Sequence, residues 1–263
     1  MKAIFFDIDG TLVSFVTHRI PQSTVDAIKK ARENGFSIFI ATGRPKVIIN
    51  NLSQLESQNL IDGYITMNGG YAFVGDNVVF KNPVCSADIQ SIMEYTGKLK
   101  VTNVYMTNDD IHIYREGDLF REIFYDTLNV DTIPPGEAEK EESYVKKELF
   151  QITTFIDDRQ EKGLLPLLSN SEIARWHPAF VDITSKGNTK RKGIEAICAH
   201  FHIDHKDTYA FGDGGNDISM LQYVNTGIAM GNASDAVKAA ANYIAPHIDE
   251  DGVSKMMSKL GII

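Results

Sequence analysis

A largely apolar stretch comes first, residues 3–8, which predicts a buried strand. Val25, Ile28 and Ala31 then recur at helical spacing, and Gly35 supplies a stop. A second apolar run, FSIFIATGR, predicts a strand. A helix is expected near 46–58, and GYITMNG reads as a short third strand. The last third repeats this style. Ile194, Ile197, Cys198 and Phe201 form one helical stripe, and TYAFGD is a strand. Ile218, Leu221 and Val224 mark a helix, TGIAMG and ANYIAP are strands, and Val253, Met256, Met257 and Leu260 close the chain with a helix. Continuous apolar strands separated by amphipathic helices predict a parallel sheet covered on both faces.

The middle of the chain reads differently. Its strands alternate, as in IHIY, and VYMTNDDIHIY predicts a hairpin around an Asn-Asp turn. Helices are expected near 86–97 and 118–128, and the charge run at 137–148 as a solvated helix or loop. The expected fold is therefore α/β: a Rossmann-like, doubly wound parallel core formed by residues 1–82 and 183–263, with an α+β domain inserted at 83–182.

Composition adds limits rather than identity. The 263 residues carry a net charge of -9, which argues against non-specific nucleic-acid binding. No run approaches the roughly 20 apolar residues of a membrane span. Asp7 interrupts the apolar run near the start, so no secretory signal is expected and a cytoplasmic location is. Cys85 and Cys198 lack CxxC spacing and read as free thiols filling apolar space.

The chemistry concentrates where strands end. Asp7 ends the first strand, Thr42 the second, and Asp213 the strand TYAFGD, and parallel sheets bind ligands beyond these carboxyl ends. Asp7 and Asp9 lie two apart and share a side while the chain stays extended. At about 4 Å and an effective dielectric near 20, two such charges repel by about 4 kcal/mol. Either one takes a proton or a cation sits between them. A third carboxylate, Asp213, favours the cation, and an all-oxygen donor set suits Mg²⁺ rather than zinc. An EF-hand fails because Leu12 and His18 occupy its glycine and glutamate positions. GDGGND is not GxGxxG, since Asp217 stands at the third glycine. Taken alone, Asp9-Gly10-Thr11 is also explained by an Asx turn capping a strand.

FFDIDGTLV, ATGRP, the lysine at a helix start in SKGNTKRKG, and FGDGGNDISML together resemble the four motifs of the haloacid dehalogenase superfamily of phosphotransferases. MNGG (67–70) and the large insertion between the second and third motifs resemble the Cof-type sugar-phosphate phosphatases of that superfamily, in which the insertion is a cap.

That resemblance implies a Mg²⁺-dependent phosphatase of small phosphorylated metabolites, sugar phosphates foremost. Asp7 is then the nucleophile that becomes an aspartyl-phosphate, and Asp9 the general acid and base. Thr42 through its hydroxyl, Gly43 through its backbone N–H, Lys190 and Asn216 would hold phosphate, with Lys186 and Lys192 as rivals to Lys190. Asp7, Asp9 and Asp213 would hold the metal, Asp9 through its carbonyl, and Asp217 would steady Lys190 or a metal-bound water. As simple helix-start residues, Asn216 and Asp217 have equally good explanations. Arg175, Trp176, His177, Tyr125 and Asp126 are weaker candidates for substrate contact, and Arg44 could face phosphate or pair with a carboxylate. A phosphomutase would be told apart by its isomerised product, and a slow phospho-receiver by a burst without turnover. The expected assembly is a monomer or weak homodimer.

Overall fold

The computed structural model describes residues 1–127, 143 and 146–263. The chain divides into two compact units, one comprising Met1–Arg44, Ile49–Lys81 and Thr189–Ile263, the other Pro45–Ile48 and Asn82–Asn188.

In the first unit the strands are β1 (Lys2–Phe6), β2 (Phe36–Ala41), β3 (Gly63–Thr66), β4 (Tyr71–Val74) and β5 (Asn77–Lys81). The second unit contributes β6 (Asn103–Met106), β7 (Ile111–Tyr114), β8 (Gln151–Thr154), β9 (Ser171–His177) and β10 (Phe180–Ser185). The chain then returns to the first unit with β11 (Thr208–Gly212), β12 (Thr226–Ala229) and β13 (Tyr243–Ile244).

Among the described residues the first unit holds one eight-stranded sheet in the order β13-β12-β11-β1-β2-β3-β4-β5. It is parallel from β13 to β3 and antiparallel across the β4–β5 hairpin. Its central strand is β1, apolar on both faces. Ile4 and Phe6 pack with Ile28, Ile38 and Met257 on one side. Ala3 and Phe5 pack with Phe39, Ile194 and Ile197 on the other. Phe5 stacks on Phe39 at 5.2 Å and Phe6 on Phe211 at 5.0 Å between ring centroids. Each such buried side chain contributes about 1.5–3 kcal/mol, so the strand that ends in Asp7 is rigidly held. The sheet order puts the carboxyl ends of β1, β2, β3, β11 and β12 along one edge.

The second unit has a five-stranded antiparallel sheet, β7-β6-β8-β10-β9, with helices Ser86–Leu99 and Asp158–Leu164. Ile89, Ile92, Tyr105, Ile152 and Ile183 belong to its core. The hairpin turn between β6 and β7 is fixed by Thr107, whose Oγ1 accepts the N–H of Asp110 at 2.9 Å. β10 runs through residue 182, so strand and unit continue past that point.

Two expectations change. The helix expected over 46–58 is a 3₁₀ turn at Lys46–Ile48 and a short helix at Ser53–Glu56. Asn50 and Asn51 stand between them, and asparagine competes for the backbone bonds a helix needs. The segment 118–128 starts as an α-helix, Asp118–Arg121, and widens to π geometry over Glu122–Thr127. The charge run 137–148 lies for the most part outside the described residues. Among the described residues no helix is long and apolar enough to cross a membrane. Cys198 lies in the core with its thiol pushed up to about 11 by burial.

Candidate active site

Beyond Phe6 the backbone stays in the ladder for one more residue, as Asp7 donates its N–H to the Phe211 carbonyl at 3.0 Å. It then turns sharply, and the Ile8 carbonyl accepts the N–H groups of Leu12 and Val13 at 2.9 and 2.8 Å. Gly10 makes that turn at φ +87°, and a Cβ there would overlap the Asp213 carboxylate. Only glycine allows both the left-handed backbone and the close approach. The loop therefore lies directly against the end of β11. Thr11 Oγ1 donates to Asp213 Oδ1 at 2.8 Å. Asn232, after β12, donates to the Gly10 carbonyl at 2.8 Å and to Asp213 Oδ2 at 3.3 Å, while its own Oδ1 accepts the Ile248 N–H at 3.2 Å.

Lys190 is the first residue of helix Lys190–Phe201, whose preceding Thr189 side chain accepts the Lys192 N–H. The helix start is seated against Gly69, where φ is +93° and a Cβ would overlap the Thr189 carbonyl. The lysine is wholly buried, 0% exposed. Its Nζ donates to Asp7 Oδ1 and to Asp217 Oδ1, each at 2.5 Å. The other oxygen of Asp217 accepts the backbone N–H groups of Asp213 and Gly214 at 2.9 and 2.8 Å.

Two carboxylates thus hold one ammonium, with the Asp213 carboxylate close by. Burial works against the charge on Lys190, but Asp217 and Asp7 outweigh it and hold the ammonium protonated, above its usual range. Burial, and then the Asp217 charge, push the Asp7 carboxyl well above the usual carboxylate range, against the pull of Lys190. Burial raises Asp213 to about 6, against the Thr11 hydrogen bond. Asp7, Asp213 and Asp217 each offer one oxygen within 4.8 Å of the others. Hard oxygen donors with surplus negative charge are what Mg²⁺ requires, so these residues fit that ion. Asp217 is tied to the Lys190 ammonium and to two backbone N–H groups, whereas Asp213 receives only the neutral Thr11 hydroxyl and Asn232 amide, so Asp7 and Asp213 are the first candidates.

Asp9 stands apart from that group. Both of its oxygens are taken by Arg44, from Nε at 2.7 Å and Nη2 at 2.8 Å. Each of the two repelling aspartates has therefore acquired a cation of the protein's own, Lys190 for Asp7 and Arg44 for Asp9. Arg44 takes the carboxylate-pairing alternative.

The remaining expected residues line the same edge. Thr42 follows β2, with its N–H on the Ile65 carbonyl and its Oγ1 accepting the Arg44 N–H at 3.1 Å. Gly43 lies against the Asn68 amide. Asn216 is exposed and donates to Asn68 Oδ1 at 2.9 Å. Lys186 belongs to the second unit, where its Nζ donates to the Ser169 carbonyl at 2.6 Å. Lys192 pairs with Glu195 at 3.0 Å. Neither competes with Lys190 for Asp7.

In the second unit Arg175 is committed to Glu161 at 2.8 Å and to the Ile156 carbonyl at 2.9 Å. His177 stacks on Phe180, and Tyr125 packs edge-on against Phe120. All three serve packing within that unit. The side chains of Trp176 and Asp126 lie outside the described residues.

The model of the haloacid dehalogenase-like hydrolases matches residues 4–257. The chain belongs to that family. This haloacid dehalogenase-like hydrolase is 30% identical to YkrA of Bacillus subtilis, a protein named as a phosphatase, over 100% of this chain and 98% of the relative. A solved structure of a subclass IIB sugar phosphatase of the superfamily shares 50% identity, covers 100% of both chains and superimposes with a TM-score of 0.90. A superfamily phosphatase from Bacteroides thetaiotaomicron shares 32%, covering 100% of this chain and 96% of that one, with a TM-score of 0.85. These likenesses place the hydrolase among the family's phosphatases.

Three residues at the site of this haloacid dehalogenase-like hydrolase went unread in the sequence: Thr11, Asn232 and Asn68. Thr11 sits inside a motif already noted, but its hydroxyl looked like part of a turn. Asn68 follows Met67 in the left-handed region, at φ 53° and 49°. Asparagine before two glycines at a strand end was the available signal. Asn232 in MGNAS gave none beyond its place after a strand.

Proposed function

We propose that the chain is a Mg²⁺-dependent phosphatase of small phosphorylated metabolites, sugar phosphates foremost, working through an aspartyl-phosphate on Asp7. The observation that carries this reading is the fully buried Lys190 joined to Asp7, with Asp213 aimed into the same edge by Thr11 and Asn232.

Asp7 and Asp213 would hold the ion, with the Asp9 carbonyl. Bound there, Mg²⁺ would offset the surplus negative charge and that of the incoming phosphate. Lys190 keeps Asp7 oriented and pulls it toward the ionised form, a pull the bound ion would complete, and presents positive charge where phosphoryl oxygens gather. An Asp7 oxygen forms the bond to phosphorus as the bond to the ester oxygen breaks. Asp9 gives its proton to the departing alkoxide, then takes one from the water that attacks the phosphoenzyme, which frees Asp7 and inorganic phosphate. Arg44 must loosen its hold on Asp9 for this exchange, so the Arg44–Asp9 pair is a resting arrangement. The Thr42 hydroxyl, the Gly43 N–H and the Asn216 amide face the phosphate.

The unit built on the antiparallel sheet, Asn82–Asn188 with Pro45–Ile48, serves as the inserted cap. The enzyme is cytoplasmic, a monomer or weak homodimer. Sugar phosphates lead the substrate list because the 50%-identical structure is that of a sugar phosphatase. A relative named as a pyridoxal phosphate phosphatase keeps other ring esters on it. The test is phosphate release from a panel of hexose and pentose phosphates and pyridoxal 5′-phosphate, with Mg²⁺ and with EDTA. Release abolished by EDTA and restored by Mg²⁺ is expected. A rate independent of metal refutes the reading.

A further inference from the structure

Phe15 is an unburied aromatic at the edge of the site, 64% exposed, and Val16 beside it is 78% exposed. Exposure alone does not set the pair apart, since Tyr243 and Ile244 are also adjacent and exposed, and it is the position of Phe15 at the site that does. The turn that carries them is built rather than loose. Ser14 is buried, and its Oγ accepts the N–H groups of Val16 and Thr17 at 3.0 and 3.2 Å. Its carbonyl accepts the His18 N–H at 2.9 Å, and its own N–H reaches the Arg19 carbonyl at 3.2 Å. His18 takes the left-handed backbone that closes the loop, at φ 52°.

The ring also lies next to the chemistry. A Cβ placed on Gly10 would meet Phe15 Cε2 at 2.7 Å on the same side on which it overlaps the Asp213 carboxylate. The ring edge therefore rests on the glycine that separates Asp9 from Thr11, beside Asp213 and open to solvent. Nothing in the proposed proton transfers or phosphate contacts uses it.

We infer that Phe15, with Val16 beside it, is the specificity platform for the organic part of the phosphoester, and that it favours alcohols presenting a flat or ring-shaped apolar face over short acyclic ones. The inference rests on the phosphatase reading and deepens it. A phosphoester whose phosphorus faces Asp7 lies beside Asp213, which places its carbon skeleton within reach of the ring that borders Asp213 and Gly10. An aromatic ring there covers the C–H face of a pyranose or the ring of an aromatic ester. It gives an acyclic acyl group little to cover. Such contact is made equally in ground and transition states, so it belongs in KM rather than kcat.

The test compares Phe15→Ala and Phe15→Leu with wild type on the best ring ester from a panel of hexose 6-phosphates and pyridoxal 5′-phosphate, and on acetyl phosphate. Phe15→Ala is expected to raise KM for the ring ester by about tenfold, the loss of one stacking contact and the area it covers, with kcat within about twofold. Phe15→Leu should fall between, and KM for acetyl phosphate should not move. A merely structural role would shift both substrates and the melting temperature together, and that result overturns the inference. So does an unchanged KM for the ring ester while wild type turns over normally. A wild-type protein that releases phosphate from none of these esters overturns the phosphatase reading and the inference with it.

Discussion

Lys190→Met removes the ammonium and keeps most of the volume. In the native protein Nζ lies 2.5 Å from one oxygen of Asp7 and 2.5 Å from one of Asp217, wholly out of solvent. At that separation and an effective dielectric near 20, each attraction is about 7 kcal/mol. Burial of the three charges consumes much of it, so the net expectation is the cost of orphaning buried charge, about 3–5 kcal/mol. Urea unfolding in EDTA at pH 8 measures this. The sign with pH follows. Without the lysine, Asp7 loses its counter-charge, and its folded pKa, already raised by burial and the Asp217 charge, rises further above the unfolded value of about 3.9. The penalty is then full above the raised folded value and shrinks as pH falls toward the unfolded one. In the wild type, Lys190 has a raised folded pKa, so its contribution is complete at pH 8 and below. The deficit of Lys190→Met should therefore be smaller at pH 5 than at pH 8, and adding Asp217→Asn should recover part of it by removing one orphaned anion. A deficit under about 1 kcal/mol at pH 8 refutes the reasoning. So does one that neither pH nor Asp217→Asn reduces.

Two further expectations are independent of that one. Asp7→Asn should abolish phosphate release and hydroxylamine-trapped phosphoenzyme while the melting temperature changes by only a few degrees, because the amide can still accept from Lys190; near-normal kcat would remove Asp7 as nucleophile. Asp88, 1% exposed, accepts the Ser169 N–H and hydroxyl at 2.9 and 2.8 Å and the Asn170 N–H at 2.8 Å. Burial raises its carboxyl, but these bonds win and lower it to about 2. A depressed acid stabilises above its unfolded pKa and loses that contribution as pH falls through the folded one, so Asp88→Asn should cost about 2 kcal/mol at pH 7 and progressively less between pH 4 and 2. An equal cost in urea melts at pH 7 and pH 3 would show that the carboxylate charge is not the cause.

The sequence by itself determined the strand ends that carry the chemistry. β1, β2, β11 and β12 are continuous apolar runs, and a strand buried on both faces shows itself without alternation. Asp7, Thr42 and Asp213 stand where those runs stop, so their common edge follows from a parallel sheet. The β4–β5 hairpin escaped notice because its outer strand is largely exposed and lacks a repeating apolar pattern. The helix expected over 46–58 failed because Ile49, Leu52 and Leu55 keep helical spacing although the two asparagines interrupt the backbone.

Only the tertiary structure decided which charges meet. Lys190 and Asp7 are 183 positions apart, and Arg44 and Asp9 are 35 apart. No local pattern records either distance. Strand order and the seating of one helix start against Gly69 bring the first pair together, and the end of β2 beside the end of β1 brings the second. Periodicity reports what a residue's own element buries. Pairing across the sheet edge depends on which elements are neighbours, and that is set by the packing of the whole unit.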